Sequence, residues 1–206
     1  SVLFTEDQLN GILNYLNDIQ SWCKKNGKTF IFFIAPDKNK VYGEFYPSGI
    51  KKIREDTESR VYQFIKYAKE NSSVPIVYPL NELLEAKNNG KLLYYKNDTH
   101  WNEYGAYIGY KELEKELQKF IDIPDFEATE WQEKLHTKGD LNDLYPEGTS
   151  EDATTLYSFP VFDPVYKVDS EKNPKDERDG YYTTCQNRQI KSVVFRDSFC
   201  TALKQY

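Results

Sequence analysis

The sequence predicts an α/β domain with a mostly parallel sheet, and three observations point to that fold class. Amphipathic helical patterns alternate with short apolar runs that are rich in β-forming residues, an order typical of parallel sheets. The chain has 206 residues, which is enough for one domain with a substantial core. Residues with acid–base and nucleophilic chemistry directly follow apolar runs, where open α/β sheets bind their ligands.

The first 120 residues carry the clearest patterns. Thr5–Gln8 forms a capping box, and apolar residues then recur at helical spacing until Asn26-Gly27 ends the helix. The continuous apolar run 29–35 predicts a strand that is buried on both faces of a sheet. Further elements are predicted in the order helix over 55–71, strand over 74–78, short helix over 81–87, extended run over 92–95 and helix over 102–120.

The segment 121–189 has a different character. It contains five prolines and a long charged loop, so we expect irregular structure with short hairpin pieces at 165–168 and 181–185. We therefore predict a single domain over 1–206 with an irregular or lid-like excursion at about 121–189.

Composition and charge argue against several function classes. The net charge is −6, the pI is about 5.1 and no tract of Lys or Arg occurs, so we expect no nucleic-acid partner. No apolar stretch approaches membrane-spanning length and no signal peptide is visible, so we expect no membrane span within this chain. The chain begins with Ser and contains no Met, which indicates an excised or processed piece of a longer protein.

The cysteines and histidines give little support for a metal. Cys23, Cys185 and Cys200 form no CxxC pair, and an odd number of cysteines gives no disulfide framework. One bridge among them stays open, and with it the redox compartment. His136 is the only histidine besides His100. We therefore predict neither a metal nor any other cofactor.

Two short motifs supply the residue types of an acid–base–nucleophile triad. Asp98 and His100 are two residues apart, so in an extended segment they project to the same side and Asp98 can orient the imidazole. The apolar run Val193–Phe195 predicts a buried strand, and Ser198 follows at the predicted start of a helix. We interpret His100 as a general base and Ser198 as a nucleophile. An N-cap serine and a partly exposed histidine beside a loop carboxylate remain open as alternatives.

Three further residues are candidates for supporting this site. Lys38 follows the first predicted strand and has the chemistry to hold an anionic group or stabilise developing charge, although a surface salt bridge is the more common role of such a lysine. Trp101 is expected to clamp its loop by burial. Arg196 stands where a small residue would ease a nucleophile turn, and we expect it to pair with Asp197 or with a substrate group.

The residues around these candidates resemble those of a known family. The run Asp98–Asn102 resembles the D-x-H-W block of the alginate O-acetyltransferase family of the AlgX and AlgJ type, which are SGNH-hydrolase-like proteins with Gram-positive DHHW relatives. Phe195–Phe199 resembles the family's nucleophile block, and Ala35–Lys38 resembles its segment after the first strand. Gly139–Leu141 looks like another family landmark. The Asp/His block precedes the serine block, as in the acetyltransferase-like branch.

The resemblance implies an SGNH-like three-layer α/β/α fold whose sheet is incomplete at the C-terminus of this chain. It implies Ser198 as nucleophile, His100 as base and Asp98 as orienter of a two-step O-acetyl transfer through an acetyl-enzyme. The implied acceptor is an extracellular or cell-wall polysaccharide, with an acetyl donor supplied by a membrane-bound O-acyltransferase. The implied location is extracytoplasmic, with a tether outside this sequence. An acetyl esterase of the same fold and a non-catalytic glycan-binding or scaffold module are the alternatives.

Overall fold

The computed structural model describes residues 2–50, 59–123, 125, 127, 131–136, 139–141, 153–158, 166–168, 183–185 and 190–203. The first helix, α1, spans Glu6–Lys25 and confirms the predicted capping box. The Thr5 side chain accepts from the Gln8 N–H, and the Gln8 side chain accepts from the Thr5 N–H. The helix ends at Asn26, after which Gly27 adopts a φ of 65° that glycine tolerates without strain.

Two short parallel strands form the centre of the domain. β1 spans Phe32–Phe33 and β2 spans Ile76–Val77, with Phe32 opposite Ile76 and Phe33 opposite Val77. Both strands lie inside apolar runs that the sequence predicts as strands, so the parallel pairing is confirmed. Within the described residues the parallel sheet holds only this pair. Each strand therefore has an edge without a strand partner there, and β1 is only partly buried where the sequence predicts full burial.

The three helices predicted after the first strand occur in the predicted order, and a short helix and a 3-10 turn that were not predicted precede them. The helices after β1 are α2 (Lys38–Val41), α3 (Arg60–Asn71), α4 (Leu80–Asn88) and α5 (Glu103–Leu117), with a 3-10 turn at Gly43–Phe45. The helices predicted over 81–87 and 102–120 are thereby confirmed. The helix predicted from residue 55 is described from its cap Ser59, whose side chain accepts from the Tyr62 N–H.

Two hydrophobic cores lie on opposite faces of the sheet. Phe32 packs against the cluster formed by α1 and α3. Its neighbour Phe33 packs against a second cluster around Trp101, to which α4 contributes Leu83 and α5 contributes Ala106. Because successive side chains of a strand point to opposite faces, the sheet lies between two layers of helices. The predicted three-layer α/β/α arrangement is confirmed.

Antiparallel pairs occupy part of the excursion. β3 (Trp131–His136) pairs with β4 (Ala153–Ser158), and β5 (Tyr166–Val168) pairs with β6 (Thr183–Cys185). The second pair coincides with the two predicted hairpin pieces. The first pair corrects the expectation of irregular structure at its positions, where polar and charged residues interrupt the apolar signal of a strand. Most other residues between 124 and 189 lie outside the described part of the chain.

The segment before Ser198 contradicts another prediction. Val193, Val194 and Phe195 form no strand, and their exposed fractions are 84%, 65% and 96%. Their apolar character predicts a buried strand, but none of the described strands pairs with this segment. The following helix, α6, spans Cys200–Leu203 and begins two residues after Ser198.

The described residues also bear on the thiols and on membrane insertion. Cys23 and Cys200 carry free thiols, so neither forms the bridge that the sequence left open. None of the helices described for this chain has the length and apolarity that crossing a membrane requires.

Candidate active site

Asp98 and His100 lie on a tight loop that is closed by backbone hydrogen bonds. Tyr94 and Trp101 form an antiparallel bridge across the base of the loop. Just inside the bridge, the Tyr95 N–H donates to the His100 carbonyl at 3.4 Å. Both candidate side chains are therefore presented by a short stretch of backbone with little freedom to change shape.

The start of α5 holds this loop from its C-terminal side. The buried Asn102 side chain caps the helix by accepting from the Gly105 N–H at 2.9 Å, and it donates to the Leu92 carbonyl at 2.7 Å. A side chain at Gly105 does not fit, because a Cβ there would lie 2.3 Å from the Leu93 carbonyl oxygen. Ordinary helix capping thus ties the loop to a rigid helix.

Asp98 binds His100 through both the backbone and the ring. One oxygen, Oδ1, accepts from the His100 N–H at 2.9 Å and lies 2.6 Å from the ring Nδ1. The other oxygen, Oδ2, accepts from the Asp140 N–H at 3.2 Å. The carboxylate is therefore fixed in rotation as well as in position, and it faces the imidazole as the i, i+2 spacing predicts.

The environment of Asp98 keeps its carboxyl group ionised. Burial raises the pKa, but hydrogen bonds from the His100 N–H, the His100 ring and the Asp140 N–H outweigh it and hold the pKa below the ordinary value of 3.8. An anionic acceptor at Nδ1 favours the tautomer with its proton on that nitrogen. The other ring nitrogen, Nε2, is then free to accept a proton.

Ser198 contacts the ring nitrogen of His100 that faces away from Asp98. Its Oγ lies 2.7 Å from His100 Nε2, although 98 residues separate the two in sequence. Ser198 is exposed to solvent, and the His100 side chain is 25% exposed. The three candidate triad residues are therefore in contact at a position that a substrate can reach.

Phe199 and Trp101 connect the serine segment to the loop. The indole Nε1 of Trp101 donates to the Phe199 carbonyl at 2.8 Å. The Phe199 ring packs on both partners, with centroids 4.9 Å from the His100 ring and 5.6 Å from the Trp101 ring. Trp101 is only 1% exposed, so it lies in the core as expected and also positions the residue next to Ser198.

Lys38 is half-buried and binds the backbone carbonyls of the loop. Its Nζ donates to the carbonyls of Tyr95 at 2.6 Å, Lys96 at 2.8 Å and Asp98 at 2.8 Å. These bonds use all three donors of an ammonium group. Burial lowers the Lys38 pKa, against the opposing charges of Asp98 and Asp140. Lys38 therefore supports the loop backbone, and its role toward an anionic group stays a prediction.

Arg196 is exposed beside the serine. Its Nη1 donates to the Asp197 carbonyl at 3.2 Å and to the Thr201 hydroxyl at 3.3 Å. The expected pairing with Asp197 therefore occurs through the backbone carbonyl. The Asp197 carboxylate accepts from the Phe199 N–H at 3.0 Å and helps to form the turn that carries Ser198.

Asp140 is a site residue that the sequence marked only as part of a family landmark. Its carboxylate accepts from the Thr99 N–H at 2.7 Å and from the Thr99 hydroxyl, and it lies 3.5 Å from His100 Nδ1. In sequence Asp140 is 41 residues from Thr99. No local spacing rule connects positions so far apart, so the only available signal was the Gly139–Leu141 motif itself.

The distances among the acidic residues and His100 fit hydrogen bonding better than metal binding. In the described part of the chain, Asp98, His100 and Asp140 offer ligand atoms within 4.8 Å of one another. However, Asp98 Oδ1 and His100 Nδ1 are 2.6 Å apart. Two ligands on a tetrahedral zinc ion are about 3.3 Å apart, given bonds of about 2.0–2.2 Å. The donor set therefore fits proton transfer.

Comparisons with known proteins identify relatives of this chain. Residues 4–188 match the family model described as SGNH hydrolase-like domain, acetyltransferase AlgX. A Pseudomonas fluorescens protein named "Probable alginate O-acetylase AlgJ" is 29% identical over 152 residues, which is 68% of this chain and 36% of that protein. The chain thus spans about a third of the length of this curated relative.

Solved structures share the fold at low sequence identity. Bacillus cereus PatB1 matches with a TM-score of 0.68 and 17% identity, over 98% of this chain and 77% of that one. A DHHW family protein from Eubacterium siraeum matches with a TM-score of 0.56 and 20% identity, over 86% of this chain and 57% of that one. These likenesses bear out the predicted α/β fold, and its SGNH hydrolase-like description comes from the matching family model.

Proposed function

Because the chain belongs to the SGNH hydrolase-like acetyltransferase family of the AlgX type, we propose that it transfers acetyl groups to hydroxyls of a bacterial extracellular or cell-wall polysaccharide, with Ser198 as the nucleophile. The observation that carries the proposal is the continuous line of contacts from Ser198 Oγ through the His100 ring to Asp98, at 2.7 Å and 2.6 Å. A hydroxyl, an imidazole and an ionised carboxylate in this order form the arrangement used for acyl transfer on several unrelated folds.

The first half of the reaction acetylates the serine. His100 Nε2 takes the proton from Ser198 Oγ while this oxygen attacks the acetyl carbonyl carbon of an ester or thioester donor. The tetrahedral intermediate collapses as the bond to the donor's alcohol or thiol breaks, and His100 returns the proton to that leaving group. The product is an acetyl ester on Ser198 with the imidazole neutral again.

The second half passes the acetyl group on. A sugar hydroxyl gives its proton to His100 Nε2 and attacks the acetyl-serine carbonyl, and Ser198 leaves with the proton that His100 returns. Asp98 stabilises the imidazolium that exists between these proton transfers. We expect the rate to fall in acid, because a protonated imidazole can no longer act as a base.

A carbohydrate acetyl esterase is a second candidate, supported by the exposure of Ser198. Water that reaches the acetyl-serine would take the place of the sugar hydroxyl in the same mechanism. The acceptor is decided by which nucleophile the surrounding surface holds against the acetyl group.

The setting of the reaction is part of the proposal. The family's acetyltransferase description and the relative named as an alginate O-acetylase support a polysaccharide acceptor. We propose an extracytoplasmic location, where such polymers are found, and a donor acetyl group supplied by a membrane-bound O-acyltransferase.

Mass spectrometry of the protein after exposure to a chromogenic acetyl ester tests the mechanism directly. We expect an acetyl increment on the peptide that contains Ser198, and its loss in Ser198→Ala. His100→Ala should slow acetylation by about 10²–10⁴-fold, the usual contribution of a general base. Ser192→Ala, on the same exposed segment, and His136→Ala, the other histidine, are matched controls that should behave like the parent protein.

Two outcomes would contradict the proposal. Acetylation at another residue, or a Ser198→Ala protein as active as the parent, would exclude the serine mechanism. Adding an acetylatable oligosaccharide distinguishes the two candidate functions, because a transferase gives acetylated sugar whereas an esterase gives only acetate.

A further inference from the structure

We propose that Asp140 is a positioning residue, which sets the geometry of the Asp98–His100 pair from the outside and contributes a second negative charge beside the imidazole. The inference rests on the proposed function, because it assigns a role in the reaction of that same site. It depends on three sets of contacts made by the segment Gly139–Leu141, called here the clasp.

The first set of contacts fixes the residue between the two triad members. The carboxylate of Asp140 binds both donors of Thr99, the backbone N–H at 2.7 Å and the side-chain hydroxyl. Thr99 lies directly between Asp98 and His100, so any rotation of its backbone would swing both functional side chains. Holding Thr99 through two donors removes that freedom.

The second set of contacts orients Asp98 itself. The Asp140 N–H donates to Asp98 Oδ2 at 3.2 Å, which leaves Oδ1 directed at the His100 ring. Without this donor the carboxylate can rotate about its last bond, and the 2.6 Å contact with Nδ1 is no longer the only arrangement. Asp140 thus holds Asp98 with its backbone N–H, and it holds Thr99 with its side-chain carboxylate.

The third set of contacts seats the clasp against the loop. The Leu141 N–H donates to the Asn97 carbonyl at 3.0 Å. Gly139 is buried against the same group, where a Cβ would lie 2.1 Å from the Asn97 carbonyl oxygen. Only glycine permits so close a backbone approach, so the clasp is a shaped contact and not a chance encounter of two surface loops.

The charge of Asp140 also faces the imidazole. Its Oδ2 lies 3.5 Å from His100 Nδ1. Among the residues that the structure describes, the other charged groups with contacts at this point are Asp98, which is hydrogen-bonded to the ring, and Lys38, whose Nζ binds the loop carbonyls. A negative charge near the ring favours its protonated form, so Asp140 helps to stabilise the imidazolium during proton transfer.

Two variants separate the geometric part from the charge part. Asp140→Asn keeps the size and an acceptor for the Thr99 N–H but removes the charge. We expect the acid side of its rate–pH profile to move toward lower pH, because the imidazolium loses a neighbouring negative charge. Asp140→Ala removes the contacts with Thr99 as well, and we expect kcat to fall about 10–100-fold with KM changed less than twofold, as for a misplaced catalytic group.

The matched control is Asp122→Asn, which removes an exposed carboxylate in the stretch after α5. We expect it to leave kcat, KM and the pH profile unchanged. Unfolding midpoints of all variants, measured by circular dichroism, exclude a general loss of fold as the cause. If Asp140→Ala fails to fold, the near-isosteric Asp140→Asn still tests the charge through the pH profile.

The outcomes distinguish this inference from the proposed function. A Ser198→Ala protein that stays active would overturn both. If Ser198→Ala is inactive but both Asp140 variants keep the kcat and pH profile of the parent protein, only the role of Asp140 is excluded. A change confined to KM would contradict positioning as well, because it would mean that Asp140 binds substrate.

Discussion

The loop 95–101 and the segment 190–199 contribute opposite halves of the candidate site, and they are held in very different ways. The loop is bound on several sides, by the ammonium of Lys38, by the carboxylate of Asp140 and by the buried start of α5. The serine segment is exposed to solvent, including its apolar residues Val193–Phe195. Its described attachments are concentrated at its C-terminal end, where the chain enters α6.

The difference shows where preorganisation is needed in such a site. A base must keep its tautomer and its direction through both halves of an acyl transfer, and this requires a rigid carboxylate partner. A serine hydroxyl must reach only one ring nitrogen, and the contacts of Phe199 with Trp101 and His100 are enough to bring it to 2.7 Å. The predictions that follow test this contrast.

Trp101 joins the two regions, so its replacement should have the largest effect. Trp101→Ala removes a side chain that is 1% exposed and should lower the free energy of unfolding by about 3–5 kcal/mol. Denaturant unfolding measures this loss. Trp22, which is 59% exposed, is the matched control, and Trp22→Ala should change stability by no more than about 0.5 kcal/mol. Similar losses in both variants would show that Trp101 is not a core residue.

Trp101→Phe tests the hydrogen bond between the loop and the serine segment separately from the burial of the ring. It keeps most of the buried ring but loses the indole N–H that donates to the Phe199 carbonyl. We expect a larger loss in the rate of Ser198 acetylation than in stability, because that bond positions the residue next to the nucleophile. An unchanged acetylation rate would mean that the serine segment is positioned without this hydrogen bond.

Lys38 tests the rigidity of the loop. Lys38→Met keeps the length of the side chain but leaves the carbonyls of Tyr95, Lys96 and Asp98 without their ammonium donor. We expect a loss of about 1–3 kcal/mol in unfolding free energy, accompanied by slower acetylation. Lys38→Arg should restore little, since a planar guanidinium does not reproduce three converging N–H donors.

The control for Lys38 is the exposed Lys28, where Lys28→Met should have no measurable effect on stability. If Lys38→Met instead retains stability and chiefly raises the KM for an anionic donor, Lys38 binds substrate, which is one of the two roles that the sequence left open. That result would contradict the view that the loop is held rigidly by many contacts whereas the serine segment is held by few.

The exposed segment should give the smallest effect. Val193→Thr and Phe195→Ser replace apolar groups that are 84% and 96% exposed, so each should change the unfolding free energy by no more than about 0.5 kcal/mol. Chemical denaturation measures this difference. A loss of several kcal/mol would mean that the segment is buried against another part of the protein in solution, and the contrast would then disappear.

The local parts of the site could be read from the sequence. The capping box of α1, the helix that starts after Asn102 and the i, i+2 contact of Asp98 with His100 each depend on residues within four positions of one another. Interactions of that range follow from backbone geometry and side-chain chemistry alone. The pairing of His100 with Ser198 was inferred from the expectation that both residues follow strands at one edge of the sheet, and the family resemblance implied it as well.

The remaining parts depended on contacts between distant positions. Val193–Phe195 has the composition of a buried strand, but burial requires a neighbouring strand, and composition does not say whether one is there. Lys38 has the chemistry to hold an anion, but three carbonyls of a loop about 60 residues away occupy its donors.

The sequence by itself determined the fold class, the elements that bound the site and the identity of the acid, base and nucleophile candidates, because each has a local pattern or a motif. Only the tertiary structure decided that Ser198 meets His100, that Lys38 serves the loop and that Asp140 completes it. Side-chain chemistry states which bonds a residue can form, whereas the folded chain decides which partners come within 3 Å and which of them solvent can still reach.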